Sequence, residues 1–230
     1  MSSAILYIGP SGAGKTTAAR TLNPETTFII KCVRKDLPWK GSQKQYTVWD
    51  ATKNPDGNCA ITSNSKEVVG WLTYINKNRP KITDIVIDDN TFLSSLELLR
   101  RTKETTWDKF SDIANNFIDL ANISSSLRDD LIVHILHHTI SEGDGIIEDK
   151  HFRAQSYGKL IDEKLGSIEA QFSIVLRVAK EKNNDNIKYV FYTKDANSTC
   201  KTPLGMFEDS EIDNCMKTVS DTVRKYYTED

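Results

Sequence analysis

Apolar residues along the chain fall into short continuous runs that alternate with polar-faced helical stretches, the pattern of an α/β domain. Residues 4–8, 26–33, 82–87 and 131–136 are such runs. They predict strands buried on both faces of a mostly parallel sheet. Helical spacing is expected over 17–22, 65–76, 92–101 and 108–127, and a short amphipathic helix over 158–165. The start of the second of these helices has chemistry behind it: Asn64-Ser65-Lys66-Glu67 offers the N-cap and acid of a capping box, with Val68, Val69, Leu72 and Ile75 following at helical spacing. Residues 45–50 suggest a short strand and Asn54-Pro55-Asp56-Gly57 a turn. Two further strands, 172–178 and 187–193, flank the polar stretch 182–186, which makes them an antiparallel hairpin. A C-terminal helix is expected from 209 to about 228.

The expectation is therefore one α/β domain over 1–230, with 34–64 as an insertion. Net charge is −2 and the isoelectric point about 6.1, so a polyanion would have to be met by a local patch. Cys32, Cys59, Cys200 and Cys215 form no C-x-x-C pair, which argues against a zinc site or a disulfide framework and for reduced thiols. No apolar run approaches the roughly 18 residues of a membrane span, and no leader is expected before the first strand. A soluble, cytoplasmic chain without a membrane partner is expected.

Between the first strand and first helix stands Gly9-Pro10-Ser11-Gly12-Ala13-Gly14-Lys15-Thr16, a match to G-x-x-x-x-G-K-[ST]. In that context the glycines turn the backbone so that its N–H groups face phosphate, and the cradle continues into the helix at Thr17. Lys15 would reach the β- and γ-phosphates of ATP, and the Thr16 hydroxyl would ligate Mg²⁺.

A second anchor is the strand ending in Asp88-Asp89. Two carboxylates at the end of a buried strand need a cation, solvent or a helix to cap. Next to a phosphate loop, Asp88 reads as the metal partner and Asp89 as the group orienting the attacking water. The strand 131–139 carries His134, His137 and His138. Alternation separates His137 from the other two, which argues against a shared metal site. His134 reads as a core residue, and His138, ahead of His137, as a sensor of the γ-phosphate.

Lys31, Arg34, Lys35, Lys40 and Lys44 gather with Trp39 and Tyr46 around the single acid Asp36. Single-stranded nucleic acid would use such cations and rings, but a solvated loop with Trp39 tucked on the core is the favoured reading. The stretch 141–157, with Gly143-Asp144-Gly145 and four acids, predicts a mobile loop at the active edge whose acidity opposes DNA.

These residues, with Leu37-Pro38-Trp39-Lys40-Gly41, Gly158-Lys159 and the stretch from Lys201 through Thr202, Pro203, Leu204, Gly205 and Met206 to Phe207, resemble the phage-encoded RecA-core ATPases. That AAA/RecA-like type is associated with single-strand annealing and recombination. The resemblance implies a three-layer RecA-like fold, hydrolysis of ATP to ADP with Mg²⁺, and a homo-oligomer in which one subunit completes its neighbour's site. It also implies single-stranded DNA and a single-strand DNA-binding protein as partners, in the host cytoplasm. One departure matters. RecA carries a catalytic glutamate after the second strand, where this chain has Lys31-Cys32-Val33-Arg34. Hydrolysis would then rest on Asp89, and slow turnover or use of ATP as an assembly switch follows. Lys201 reads either as a cation supplied in trans or as a surface lysine. Two other classes share the phosphate loop: a nucleotide or small-molecule kinase, for which 141–157 offers only Arg153 as a lid arginine, and a non-catalytic ATP-gated module.

Overall fold

Strand β1 (Ser3–Gly9) lies in the middle of the sheet because no residue from Ile5 to Ile8 leaves an apolar face for water: all four are fully buried. The computed structural model describes residues 2–142, 150–156, 167–183 and 186–228. The helix expected at 158–165 and most of the acidic stretch from 143 onward lie outside the described residues.

After β1 the chain forms α1 (Lys15–Ala18), continued by a 3₁₀ turn (Ala19–Thr21), then β2 (Thr27–Lys31), α2 (Ser42–Gln45), β3 (Cys59–Ile61) and α3 (Ser65–Asn78). Strand β4 (Asp84–Asp88) leads into α4 (Thr91–Arg100) and α5 (Asp108–Ser124), followed by β5 (Ile132–Glu142) and β6 (His151–Ala154). A hairpin of β7 (Ile174–Asn183) and β8 (Asn186–Tyr192), a short β9 (Glu211–Asp213) and α6 (Met216–Thr228) complete the described elements. The nine strands form one sheet in the order β3-β2-β4-β5-β1-β7-β8-β9, with β6 on β5. Pairings from β3 through β7 are parallel, and β5–β6, β7–β8 and β8–β9 are antiparallel.

Alternation along the strands builds two cores. Leu6, Ile8, Phe28, Ile30, Ile85 and Ile87 pack against Val68, Leu72 and Ile75 of α3 and against Phe117 and Leu120 of α5. Ile5, Tyr7, Ile29, Val86 and Leu136 face the other way, onto Ala18 and onto Met216, Val219 and Val223 of α6. Each fully buried Ile or Leu contributes roughly 1.5–3 kcal/mol, so both faces of the central strands are held. The expected three-layer α/β fold is present, mostly parallel, with antiparallel strands near the C-terminus.

His134 is a core residue, as expected. Its ring meets the Tyr7 hydroxyl at 2.9 Å and Asp84 Oδ1 at 3.2 Å, while Ser220 and Arg224 of α6 donate to the same carboxylate at 2.6 and 2.9 Å. Burial would raise the Asp84 pKa, but His134, Ser220 and Arg224 outweigh it and hold the carboxyl well below its usual range.

The structure departs from the sequence expectations in five places. In the stretch 141–157, expected as a loop, residues 141–142 end β5 and 151–154 form β6 paired against it. Residues 45–50 form no strand: α2 occupies 42–45, and the sheet edge is β3, with one bridge to Val48. Asn64 does cap α3 through the Lys66 N–H at 2.9 Å, but the capping box does not close, because Glu67 accepts from the Thr62 hydroxyl at 2.5 Å. Helix α5 stops at Ser124, where the Ser124 and Ser125 hydroxyls bond back to the carbonyls of Leu120 and Ala121. The C-terminal helix starts at Met216, since residues 211–213 join the hairpin as β9.

Candidate functional site

The register brings the site together. Gly9 pairs with His138 and Lys31 with Asp88, so the phosphate loop, the Asp88-Asp89 pair and the β5 histidines share one edge of the sheet. Gly9 has no room for a side chain: a Cβ there would stand 2.6 Å from the Val178 carbonyl oxygen. The loop turns through Gly12 and Gly14, both with positive φ (73° and 99°), into the first turn of α1.

Lys15 is buried, and its ammonium donates to the carbonyls of Gly9 at 2.6 Å and Pro10 at 3.0 Å. Burial lowers its pKa to about 8 against the pull of Asp89 and Asp88. The Thr16 hydroxyl donates to Asp88 Oδ1 at 2.7 Å, closing a contact across 72 residues of sequence. Asp88 is 1% exposed; its Oδ2 has no hydrogen-bond partner and stands 3.9 Å from the Lys35 ammonium. Burial, then the charge of Asp89, raise its pKa. A hydroxyl and a carboxylate side by side, with one oxygen left over, form a hard oxygen donor set that fits Mg²⁺.

Asp89 has φ 62°, the left-handed region that few residues other than glycine, asparagine and aspartate enter. That turn directs the chain from β4 into α4 and leaves the carboxylate in the cleft. Lys35 pairs with its Oδ2, and His138 Nε2 lies 3.5 Å from its Oδ1. Burial opposes ionisation, but these two neighbours hold the Asp89 pKa down to about 2.

The two neighbouring histidines divide as alternation requires. His138 lines the cleft beside Asp89, edge-on to Phe92. His137 does not reach it, which corrects the second choice of sensor. Its Nε2 bonds the Gln155 carbonyl at 2.7 Å, so Nε2 carries the proton and Nδ1 accepts from Asn90 at 3.1 Å. Burial lowers the His137 pKa from 6.5 to about 4. The folded state thus refuses a proton that the unfolded chain accepts. Stability is full above the unfolded value and falls as pH drops from 6.5 toward 4, by about 3 kcal/mol across the window. Urea unfolding at pH 7 and pH 5 should show this loss, and His137→Gln should flatten it; a parent midpoint that does not move between those pH values refutes the assignment.

Lys15, Thr16, Asp89, Phe92 and His138 line a cleft of about 560 Å³. Of the cradle read from the motif, Ser11, Gly12, Gly14, Lys15, Thr16 and Thr17 border it. Gly9 and Pro10 act through the carbonyls that hold Lys15, and the Ala13 side chain packs into the core instead. Lys35 and Tyr189 also border the cleft, and the motif reading missed both. A three-layer α/β sheet with a glycine-rich phosphate loop at its carboxyl edge is a nucleotide-binding architecture. No protein-family model matches the chain, and no curated protein matches its sequence. Among solved structures it is similar to a KaiC-like protein of the hyperthermophilic archaeon Pyrococcus horikoshii, at 14% identity and TM-score 0.49, over 87% of this chain and 82% of that one. A likeness that distant carries no functional weight; strand order and register carry the fold.

The basic stretch is only partly available to a ligand. Tyr46 is buried, and Trp39 packs on the core with its indole N–H donating to Gln45 at 2.8 Å. Neither ring is set out for base stacking. Arg34, Lys40 and Lys44 are exposed, and Lys35, also exposed, pairs with Asp89. Lys201 is exposed and bridged through its backbone to Val175, three residues before the Val178 that touches Gly9. Among the described residues no helix is long and apolar enough to cross a membrane.

Proposed function

We propose that the protein binds Mg²⁺ and ATP in this cleft and hydrolyses the nucleotide, with single-stranded DNA as the polyanion it acts on. The observation that carries the reading is the Thr16–Asp88 contact, which joins the phosphate loop to a buried carboxylate with an oxygen to spare. Lys15 would leave the loop carbonyls for the β- and γ-phosphates. Thr16 and Asp88 would hold Mg²⁺, which supplies charge neutralisation at the phosphates. Asp89 would orient the attacking water, and His138 would keep its carboxylate in place.

Lys35 ties this chemistry to DNA. Lys35 on Oδ2 and His138 near Oδ1 compete with water for the Asp89 carboxylate, so release of Lys35 would free an acceptor for it. Lys35 sits in the same loop as the exposed Arg34 and Lys40, where a phosphodiester backbone would compete for it. Turnover should therefore be slow alone and faster with single-stranded DNA at about 50 mM salt, with the stimulation shrinking toward about 200 mM. An ATPase assay with single-stranded, double-stranded and no DNA, read with the oligomer mass, tests this. Equal rates in all three would remove DNA from the reading. Assembly in which Lys201 serves a neighbouring subunit belongs to the same proposal.

A kinase is the second reading, favoured by one observation. Another cleft of about 560 Å³, bordered by Arg34 and Arg100, adjoins the first across Val33 and would suit an anionic acceptor. Transfer of the γ-phosphoryl group to a nucleoside or nucleotide acceptor, rather than to water, would select it.

A further inference from the structure

Asn214 has no part in the chemistry above, yet its side chain is placed at an energetic disadvantage. It is 6% exposed, and neither its amide nitrogen nor its amide oxygen has a hydrogen-bond partner. Buried amides are normally paired, so one with both ends open calls for a partner. Its surroundings indicate which. Asn214 Nδ2 lies 3.4 Å from the point where a Cβ on Gly14 would stand, and the Tyr189 ring lies 2.8 Å from that same point. Amide and ring thus converge on the bare backbone face of a phosphate-loop glycine. The Tyr189 ring is 40% exposed and borders the cleft.

Both residues are mounted on elements locked to the phosphate loop. Val190, next to Tyr189, pairs with Asp213, next to Asn214. Directly after Asn214, the start of α6 is tied to the helix of the loop through the Lys217 N–H and the Thr21 hydroxyl at 3.2 Å. Asn214 stands between β9 and α6, and the Tyr189 ring, with the Lys180 ammonium 6.0 Å from its centre, is the half-exposed member.

We propose that Tyr189 and Asn214 form the nucleobase subsite and that its ligand is a 6-aminopurine. The assignment rests on the reading of the cleft as a triphosphate site. Tyr189 turns off Gly14 to stack on the base, which opens the amide to the base edge. The Asn214 oxygen accepts from the exocyclic amine, and its nitrogen donates to the neighbouring ring nitrogen, the donor and acceptor match by which asparagine reads adenine. A 6-oxopurine presents two acceptors on that edge and leaves the Asn214 oxygen opposed. Stacking supplies affinity to any base, so the two residues divide the work: Tyr189 holds and Asn214 selects.

Equilibrium binding of ATP, ITP and inorganic tripolyphosphate, each with Mg²⁺, separates these roles in the full chain. The parent is expected to prefer ATP to ITP by about tenfold or more. Tyr189→Ala should weaken ATP and ITP together by about tenfold and leave tripolyphosphate unchanged, while Tyr189→Phe behaves as the parent. Asn214→Leu should erase the preference for ATP over ITP with tripolyphosphate again unchanged, and Asn214→Ala serves if the leucine variant does not fold. Equal binding of ATP and ITP by the parent, or loss of tripolyphosphate in step with ATP in a folded Tyr189→Ala, overturns the subsite. Failure of the parent to bind both tripolyphosphate and ATP overturns the triphosphate reading itself, a distinguishable result.

Discussion

Lys15→Ala is expected to abolish measurable ATP hydrolysis, lowering kcat by about 10²–10³-fold, the loss typical when one preorganised donor is removed from a developing phosphate charge. The geometry gives the reason. Lys15 is buried, and its ammonium is held 2.6 Å from the Gly9 carbonyl and 3.0 Å from the Pro10 carbonyl, at the floor of the loop. Alanine leaves those carbonyls without their donor and the phosphates without their only cation from the motif. Because burial brings the Lys15 pKa down to about 8, triphosphate affinity should also fall as pH rises through that value. Steady-state hydrolysis and nucleotide binding measured on the purified variant check both statements. Parental turnover in Lys15→Ala would take the lysine out of the mechanism.

Asp89→Asn is the second large effect, and it isolates the carboxylate unusually well. Asparagine is isosteric and is itself tolerant of the left-handed backbone that Asp89 adopts at φ 62°, so the turn into α4 survives the substitution. What disappears is the negative charge that would orient water and that now anchors Lys35 and His138. Turnover should drop by about 10²–10⁴-fold, the usual worth of a positioned acid–base group, with ATP binding retained. Single-turnover measurements separate the two. Normal hydrolysis in this variant would transfer the water-orienting role to another residue.

The strands that frame the site were readable because each is buried on both faces, which leaves an uninterrupted apolar run followed by chemistry: glycines after β1, two acids at the end of β4, polar residues at the end of β5. Strands β3 and β9 were not readable, since three residues are too few to show a period. The histidine pair shows where sequence reasoning stops. Alternation separates His137 from His138 but does not say which lines the cleft; the His138 ring beside Asp89 and Phe92 does. Lys35 was visible only as one cation in a charge run, because its partner Asp89 is remote in sequence and adjacent only once β2 lies beside β4. Tyr189 and Asn214 meet Gly14 through the same kind of long-range closure, and no local signal marks either.

The placement of β5 also bears on how the chain is made. β1 leads through the loop to Thr16 on α1 and β4 ends in Asp88, the two halves of one contact, yet the two strands do not pair; β5 lies between them. A nascent chain ending before residue 132 holds every phosphate-loop and acid residue but lacks the strand that brings them together. On the ribosome the amino-terminal half must wait, with the edges of two apolar strands unpaired, until β5 emerges. Parallel sheets closed by such late, non-local strands fold slowly and invite aggregation in the interval. Poor recovery of fragments that stop short of β5 is the outcome this strand order leads one to expect.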